Sequence, residues 1–156
     1  MDKTRAFRDA LASFPTGVAL VTMMDEGKAT AMTVNSFASV SLEPPLILWS
    51  LARDSFRCAA FLNAGQFAVN VLAHDQRSLA EACAREDDLS ASGARWTPGE
   101  SGAPLVADTV ARFECSRIAV HPGGDHDIII GQVTRFDEPR KAPALVFFRS
   151  AYTRAG

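Results

Sequence analysis

Side chains able to do chemistry cluster in three places along the 156-residue chain. The first is Thr33-Val34-Asn35-Ser36-Phe37, inside the run from Thr30 to Ser55. Met32, Val34, Ala38, Val40 and Leu42 share one parity there, and Thr33, Asn35, Phe37, Ser39 and Ser41 share the other. Such alternation predicts a half-buried strand with one face on a core. The second face carries hydroxyls, an amide and an aromatic ring, with no Lys, Asp or Glu. It suits a flat heteroaromatic ligand, which needs close backbone approach and neutral hydrogen bonds. The plain alternative is a strand with ordinary hydroxyls. Asn35 and Ser36 have opposite parity, so both reach one ligand only through backbone contacts or a local bulge.

The second place is Ser50, Arg53 and Ser55. Glu43-Pro44-Pro45 ends the first strand, and Leu46 to Leu51 is a continuous apolar run that predicts a buried strand. A helix over Ser55–Asn63 follows, with Asp54 or Ser55 as its cap. Arg53 and free hydroxyls at a helix start suit an anion, and phosphate is the natural guest. The plain alternative is an exposed arginine and a capping serine.

The third place is His126, at the end of the turn His121-Pro122-Gly123-Gly124-Asp125 and flanked by Asp125 and Asp127. Read alone, it is a turn histidine bonded to one of those aspartates. His121 and His126 across a turn make a weak ligand pattern, and no metal is expected. Ser/His/Asp sets can be assembled from so many serines that none carries weight. There is no G-x-G-x-x-G, no G-x-x-x-x-G-K-[ST] and no G-x-S-x-G. A nicotinamide cofactor, if used, is therefore not held by a Rossmann domain.

These groups need elements to hold them. Thr4 can cap a helix whose Phe7, Ala10, Leu11 and Phe14 form one apolar stripe, ended by Pro15 and Gly17. Val18–Met24 reads as a strand, and Asp25-Glu26-Gly27-Lys28 as a hairpin turn into the Thr30 stretch. Phe67–Leu72 reads as a strand. A helix from His74-Asp75 to Cys83 turns Leu79, Ala80 and Cys83 inward. Residues 85–104 read as a long polar loop anchored by Trp96, either a lid or a dimer-contact arm. Thr109–Val120, Asp127–Phe136 and Ala144–Arg149 are the last strands, followed by a short tail. Strands in hairpin order with few short helices predict a mainly β, antiparallel barrel in a single domain over residues 1–156.

Composition limits the partners. Net charge is −2 and charged residues make up 22%, so nucleic acid is not expected. No apolar run is long enough to span a bilayer, and the N-terminus lacks a secretory pattern. Cys58, Cys83 and Cys115 are odd in number and widely spaced, which fits a reducing cytoplasm and neither a disulfide framework nor a zinc site.

Four segments in order carry a resemblance: F-P-T-G-V at Phe14–Val18, T-V-N-S-F-A-S-V-S-L-E-P-P-L at Thr33–Leu46, N-V-L at Asn70–Leu72, and G-D-H-D-I-I-I-G-Q-V at Gly124–Val133. Together they resemble the short-chain flavin reductases of two-component flavin-dependent monooxygenases, over about Phe7 to Tyr152. The resemblance implies a split β-barrel that pairs as a homodimer and binds FMN or FAD. It implies reduction of that flavin by NADH or NADPH, for a partner monooxygenase. It also implies a nicotinamide-pocket role for His126 and a cleft-closing role for Tyr152. The chain departs from the family around Asp87-Asp88-Leu89, where a basic residue and an aromatic are usual; Arg85 is the candidate substitute. Alternatives on the same scaffold are an electron carrier that retains its FMN and an oxidase of a bound small molecule.

Overall fold

The computed structural model describes residues 2–156. Its elements in order are α1 (Lys3–Leu11), β1 (Thr16–Gly17), β2 (Ala19–Asp25), β3 (Lys28–Val34), β4 (Ala38–Leu42), β5 (Pro45–Ala52), α2 (Cys58–Asn63) and β6 (Gln66–Val71). They continue with α3 (Arg77–Arg85), β7 (Trp96–Pro98), β8 (Pro104–Val106), β9 (Ala111–Gly123), β10 (His126–Asp137), β11 (Ala144–Phe148) and β12 (Ala151–Ala155). Seven strands form an antiparallel sheet in the order β3-β2-β6-β9-β10-β5-β4. Three more form the sheet β1-β11-β12, and β7 pairs with β8.

The large sheet curls until its two ends share one core. Met32 and Val34 of β3 pack in the same cluster as Ile47, Trp49 and Leu51 of β5, closed by Phe61 of α2. Yet β3 and β4 do not pair, so the barrel is split between them. The expected mainly β, antiparallel architecture is thus present. A second core, with Leu20, Ala31, Leu72, Ala80, Cys83 and Leu145, lies between the sheet and α3.

The predicted hairpin turn is in place. Asp25 pairs with Lys28, and Glu26 and Gly27 both take positive φ (48° and 83°), the backbone that two-residue hairpins need. Leu79, Ala80 and Cys83 turn inward as expected, and Trp96 packs on the second core.

Other expectations need correction. Thr30–Leu42 is not one strand: β3 and β4 lie at opposite edges of the sheet, joined by Asn35-Ser36-Phe37. Both faces of β3 are covered, one by the barrel core and one by α3, so Ala31 is fully buried and Thr30 nearly so. β4 lies outside that cover; Val40 is 47% exposed and Leu42 94%. The helix placed at Ser55 begins at Cys58, after a series of turns. Asp2, not Thr4, caps α1, accepting the Thr4 N–H at 2.9 Å. The α1 stripe meets no core of its own chain, for Phe7, Leu11 and Phe14 are all more than half exposed. The supposed tail is β12, in register with β11.

Candidate functional site

Thr33, Val34 and Asn35 meet Val18, Phe147 and Tyr152 around a recess of about 150 Å³. The two walls come from different sheets. One is the end of β3, where the Thr33 hydroxyl donates to the Ala80 carbonyl of α3 at 2.6 Å. The other is the β11–β12 hairpin, where Tyr152 is opposite Phe147 and meets it edge-on at 5.2 Å. Burial, aided by Glu81, pushes the Tyr152 phenol above its usual range, while Arg77 opposes the shift. No charged side chain lines the recess, so its chemistry suits one edge of a neutral planar ring.

The segment Asn35-Ser36-Phe37 crosses the split in the barrel, and its three side chains do three different things. Asn35 is exposed at the recess. Ser36 is pinned to β5, its hydroxyl oxygen accepting the Ser50 N–H at 2.9 Å. Phe37 turns inward against Phe113, with ring centroids 5.6 Å apart. It packs the barrel rather than lining the recess, because the crossing ends the strand and its parity with it.

Arg53, Asp125, His126 and Asp127 gather where β5 meets the β9–β10 turn. Arg53 donates through Nη2 to Asp127 Oδ1 at 2.9 Å and through Nε at 3.2 Å. Its backbone N–H donates to the Asp125 carbonyl at 3.0 Å. The Arg53 side chain stays 47% exposed, and Nη1 is left for another partner. His126 Nδ1 lies 2.8 Å from Asp125 Oδ1, the turn contact the plain reading expected. That contact holds the Asp125 carboxyl below its usual range and leaves Nε2 as the outward nitrogen. In the β5–β10 register, His126 is opposite Ala52 and Ile128 opposite Ser50. Paired residues share a face, so His126 and Ser50 point to the same outer side of the sheet.

Ser55 accepts the Arg57 N–H at 3.2 Å, but α2 has only six residues. The expected helix-end phosphate cradle is reduced to Arg53 and the two serine hydroxyls. Arg85 is exposed at the end of α3 and outside the recess. The acidic stretch beside it has a structural use. The Ala31 N–H donates to the Asp87 carbonyl, the Leu89 N–H to that of Ala29, and Lys28 pairs with Asp87 at 3.0 Å, so this strap covers the free edge of β3.

Sequence reasoning missed Arg57. It is only 7% exposed, and its guanidinium donates to the carbonyls of Ala31, Cys83 and Ala84 at 2.9, 2.6 and 3.1 Å. Those acceptors are backbone atoms with no residue signature; a carboxylate partner in the sequence could have flagged it. Burial lowers its pKa, and the α3 carbonyls supply the negative end of a helix dipole.

Larger cavities lie elsewhere: a groove of about 420 Å³ on the small sheet and a recess of about 280 Å³ beside the start of α3. Neither gathers any of the expected site residues. Among the described residues no group of three His, Cys, Asp or Glu side chains is arranged to hold a metal.

Comparison with known proteins adds an independent line. The family described as flavin reductase like domain matches residues 11–156. The FMN reductase (NADH) SmoA of Agrobacterium fabrum is 45% identical over 98% of this chain and 87% of its own length. The reductase subunit HsaB of a flavin-dependent monooxygenase from Rhodococcus jostii is 38% identical over 96% of this chain and 76% of its own. The solved structure of the NADH:FAD oxidoreductase SgcE6 of Streptomyces globisporus, in complex with NAD and FAD fragments, superimposes with a TM-score of 0.92 at 33% identity, covering 99% of this chain and 93% of that one.

Proposed function

The chain belongs to the flavin reductase-like domain family, and on that premise we propose that it is a flavin reductase. It uses NADH, or NADPH in its place, to reduce FMN or FAD, and supplies the reduced flavin to a separate monooxygenase component. The observation that carries this reading is the neutral, aromatic-walled recess beside the Asn35–Phe37 crossing.

A bound flavin supplies a ring that takes hydride from the reduced nicotinamide; the protein's part is to place the reactants and keep water out. Asn35 and the backbone of the crossing would face the ring edge. The Thr33 hydroxyl, already donating to Ala80, can only accept there. Val34, Phe147 and Tyr152 would exclude water. Arg53, with Nη1 free of Asp127, would hold the flavin phosphate, helped by the Ser50 and Ser55 hydroxyls. His126 would offer Nε2 to the nicotinamide amide, its ring fixed by Asp125. No side chain need transfer a proton for the hydride step.

The recess is small and takes part of a ring system, so the rest must be covered from outside. A second copy is the natural cover. Leu48 and Ile130 are paired on the same outer face as Ser50 and His126, and the neighbouring Val40 and Leu42 are strongly exposed. Such an apolar face fits a homodimer with the flavin cleft between subunits. Residues 1–156 are read as one domain, because β2 and β3 serve both cores. Its three cysteines are free thiols, which fits a cytoplasmic enzyme.

The direct test is consumption of NADH by the purified protein with and without added flavin. Consumption that rises with free FMN or FAD and saturates is expected. NADH consumption that ignores added flavin would point to the carrier or oxidase reading.

A further inference from the structure

Arg77, in the first turn of α3, places its guanidinium carbon 5.3 Å from the ring centre of Tyr152. Its Nε donates to Glu81 Oε1 at 3.2 Å, one turn along the same helix. The tyrosine ring is therefore gripped twice: Phe147 meets it edge-on and a guanidinium covers it. Without the second grip the ring would be poorly fixed, since β12 is the edge strand of its sheet.

The helix that carries Arg77 is itself tied to the opposite wall of the recess. Thr33 holds the Ala80 carbonyl, and Arg57 holds Ala31 of β3 together with Cys83 and Ala84. The contacts thus run from β3, through α3 and Arg77, to Tyr152. They join two walls that belong to separate sheets.

We infer that Arg77 is a positioning residue: it holds the Tyr152 ring at a fixed distance from the β3 wall, and so sets how tightly the recess grips the flavin ring edge. The part concerning the flavin rests on the flavin-reductase reading. Arg77 is 60% exposed, so its replacement removes the grip without emptying a core.

Tyr152 is the chain's single tyrosine, so tyrosinate absorbance, or one labelled tyrosine resonance, reports this ring alone. Arg77 pulls the phenol down and Glu81 pushes it up. Arg77→Gln should therefore raise the phenol midpoint and Glu81→Gln should lower it. This reading needs no turnover. In steady-state assays Arg77→Gln should raise KM for flavin about threefold with kcat nearly unchanged, and Arg77→Lys should recover part of the loss. Adding Arg77→Gln to Tyr152→Ala should then cost nothing further.

An unmoved phenol midpoint in Arg77→Gln would overturn the contact itself, whatever the activity. A moved midpoint with unchanged flavin KM, or additive losses in the double variant, would leave the contact but overturn its role in flavin binding. If Tyr152→Ala leaves KM for flavin unchanged while flavin is still reduced, the ring binds elsewhere and the inference falls, though the reductase reading stands. If no variant and no wild-type protein reduces flavin, it is the reductase reading that fails.

Discussion

The Ser36 hydroxyl oxygen accepts the backbone N–H of Ser50 at 2.9 Å, and in doing so replaces a missing rung of the sheet. The β4–β5 ladder ends at the pair Ala38 and Leu48. Ser50 is two residues beyond it on β5, so its N–H on that edge has no strand partner. The chain that could have supplied one has left the ladder to cross towards β3. One hydroxyl thus satisfies the orphan donor and fixes the crossing that borders the recess.

Ser36→Ala is expected to cost about 1–2 kcal/mol of folding stability, the penalty for a part-buried N–H left unpaired. It should also weaken flavin binding, because Asn35 loses its anchor. Denaturant titration checks the first effect and flavin KM the second. A variant as stable as wild type would remove the Ser36–Ser50 tie from the account of the crossing.

Arg53→Ala is expected to raise KM for flavin about tenfold, the value of a charge-assisted hydrogen bond discounted for half exposure. kcat at saturating flavin should stay close to wild type. The measurement is a flavin titration at fixed, saturating NADH. An equal flavin KM in the two proteins would leave Arg53 as the partner of Asp127 alone.

His126→Ala is expected to raise KM for NADH by about three- to tenfold, the worth of one hydrogen bond. Flavin KM and stability should change little, since the side chain is 43% exposed and its contact with Asp125 lies at the surface. Matched titrations of NADH and flavin separate the two. Unchanged dependence on NADH would return His126 to a turn contact.

Arg57→Met is expected to destabilise the fold by about 2–3 kcal/mol, because the Cys83 and Ala84 carbonyls at the end of α3 lose a charged donor. Arg57→Lys should recover little, as an ammonium lacks the planar fork that reaches three acceptors. Thermal unfolding of both variants measures this. A lysine variant as stable as wild type would mean that charge alone, and not the fork, holds α3.

What the sequence made legible was local. Glu26-Gly27 names its own turn, and Leu79, Ala80 and Cys83 declare a helix face through spacing alone. The crossing at Asn35–Phe37 was hidden because Val34 and Ala38 keep the same parity on either side of it, so the alternation runs unbroken through a chain that changes edges. Parity alone puts Leu42 on the core face, yet it is almost fully exposed. The stripe of Phe7, Leu11 and Phe14 is exposed as well. An apolar stripe announces that something covers it, not whether the cover comes from its own chain. Thr33, Val34, Asn35 and Tyr152 could be named in advance, yet their meeting depends on a register between β11 and β12 that no local pattern encodes. Arg57 gave no sign because its partners are carbonyls.

The most direct measurement of flavin reduction is anaerobic. Purified protein is mixed with NADH and excess free FMN, then FAD, and loss of the oxidised flavin colour is followed to completion. Release of reduced flavin to a partner requires rapid bleaching with many flavins reduced per subunit, and the same experiment ranks the two flavins. Bleaching that stops at one equivalent per subunit would contradict it in favour of a carrier that keeps its flavin. No bleaching with either flavin, repeated with NADPH, would contradict it outright.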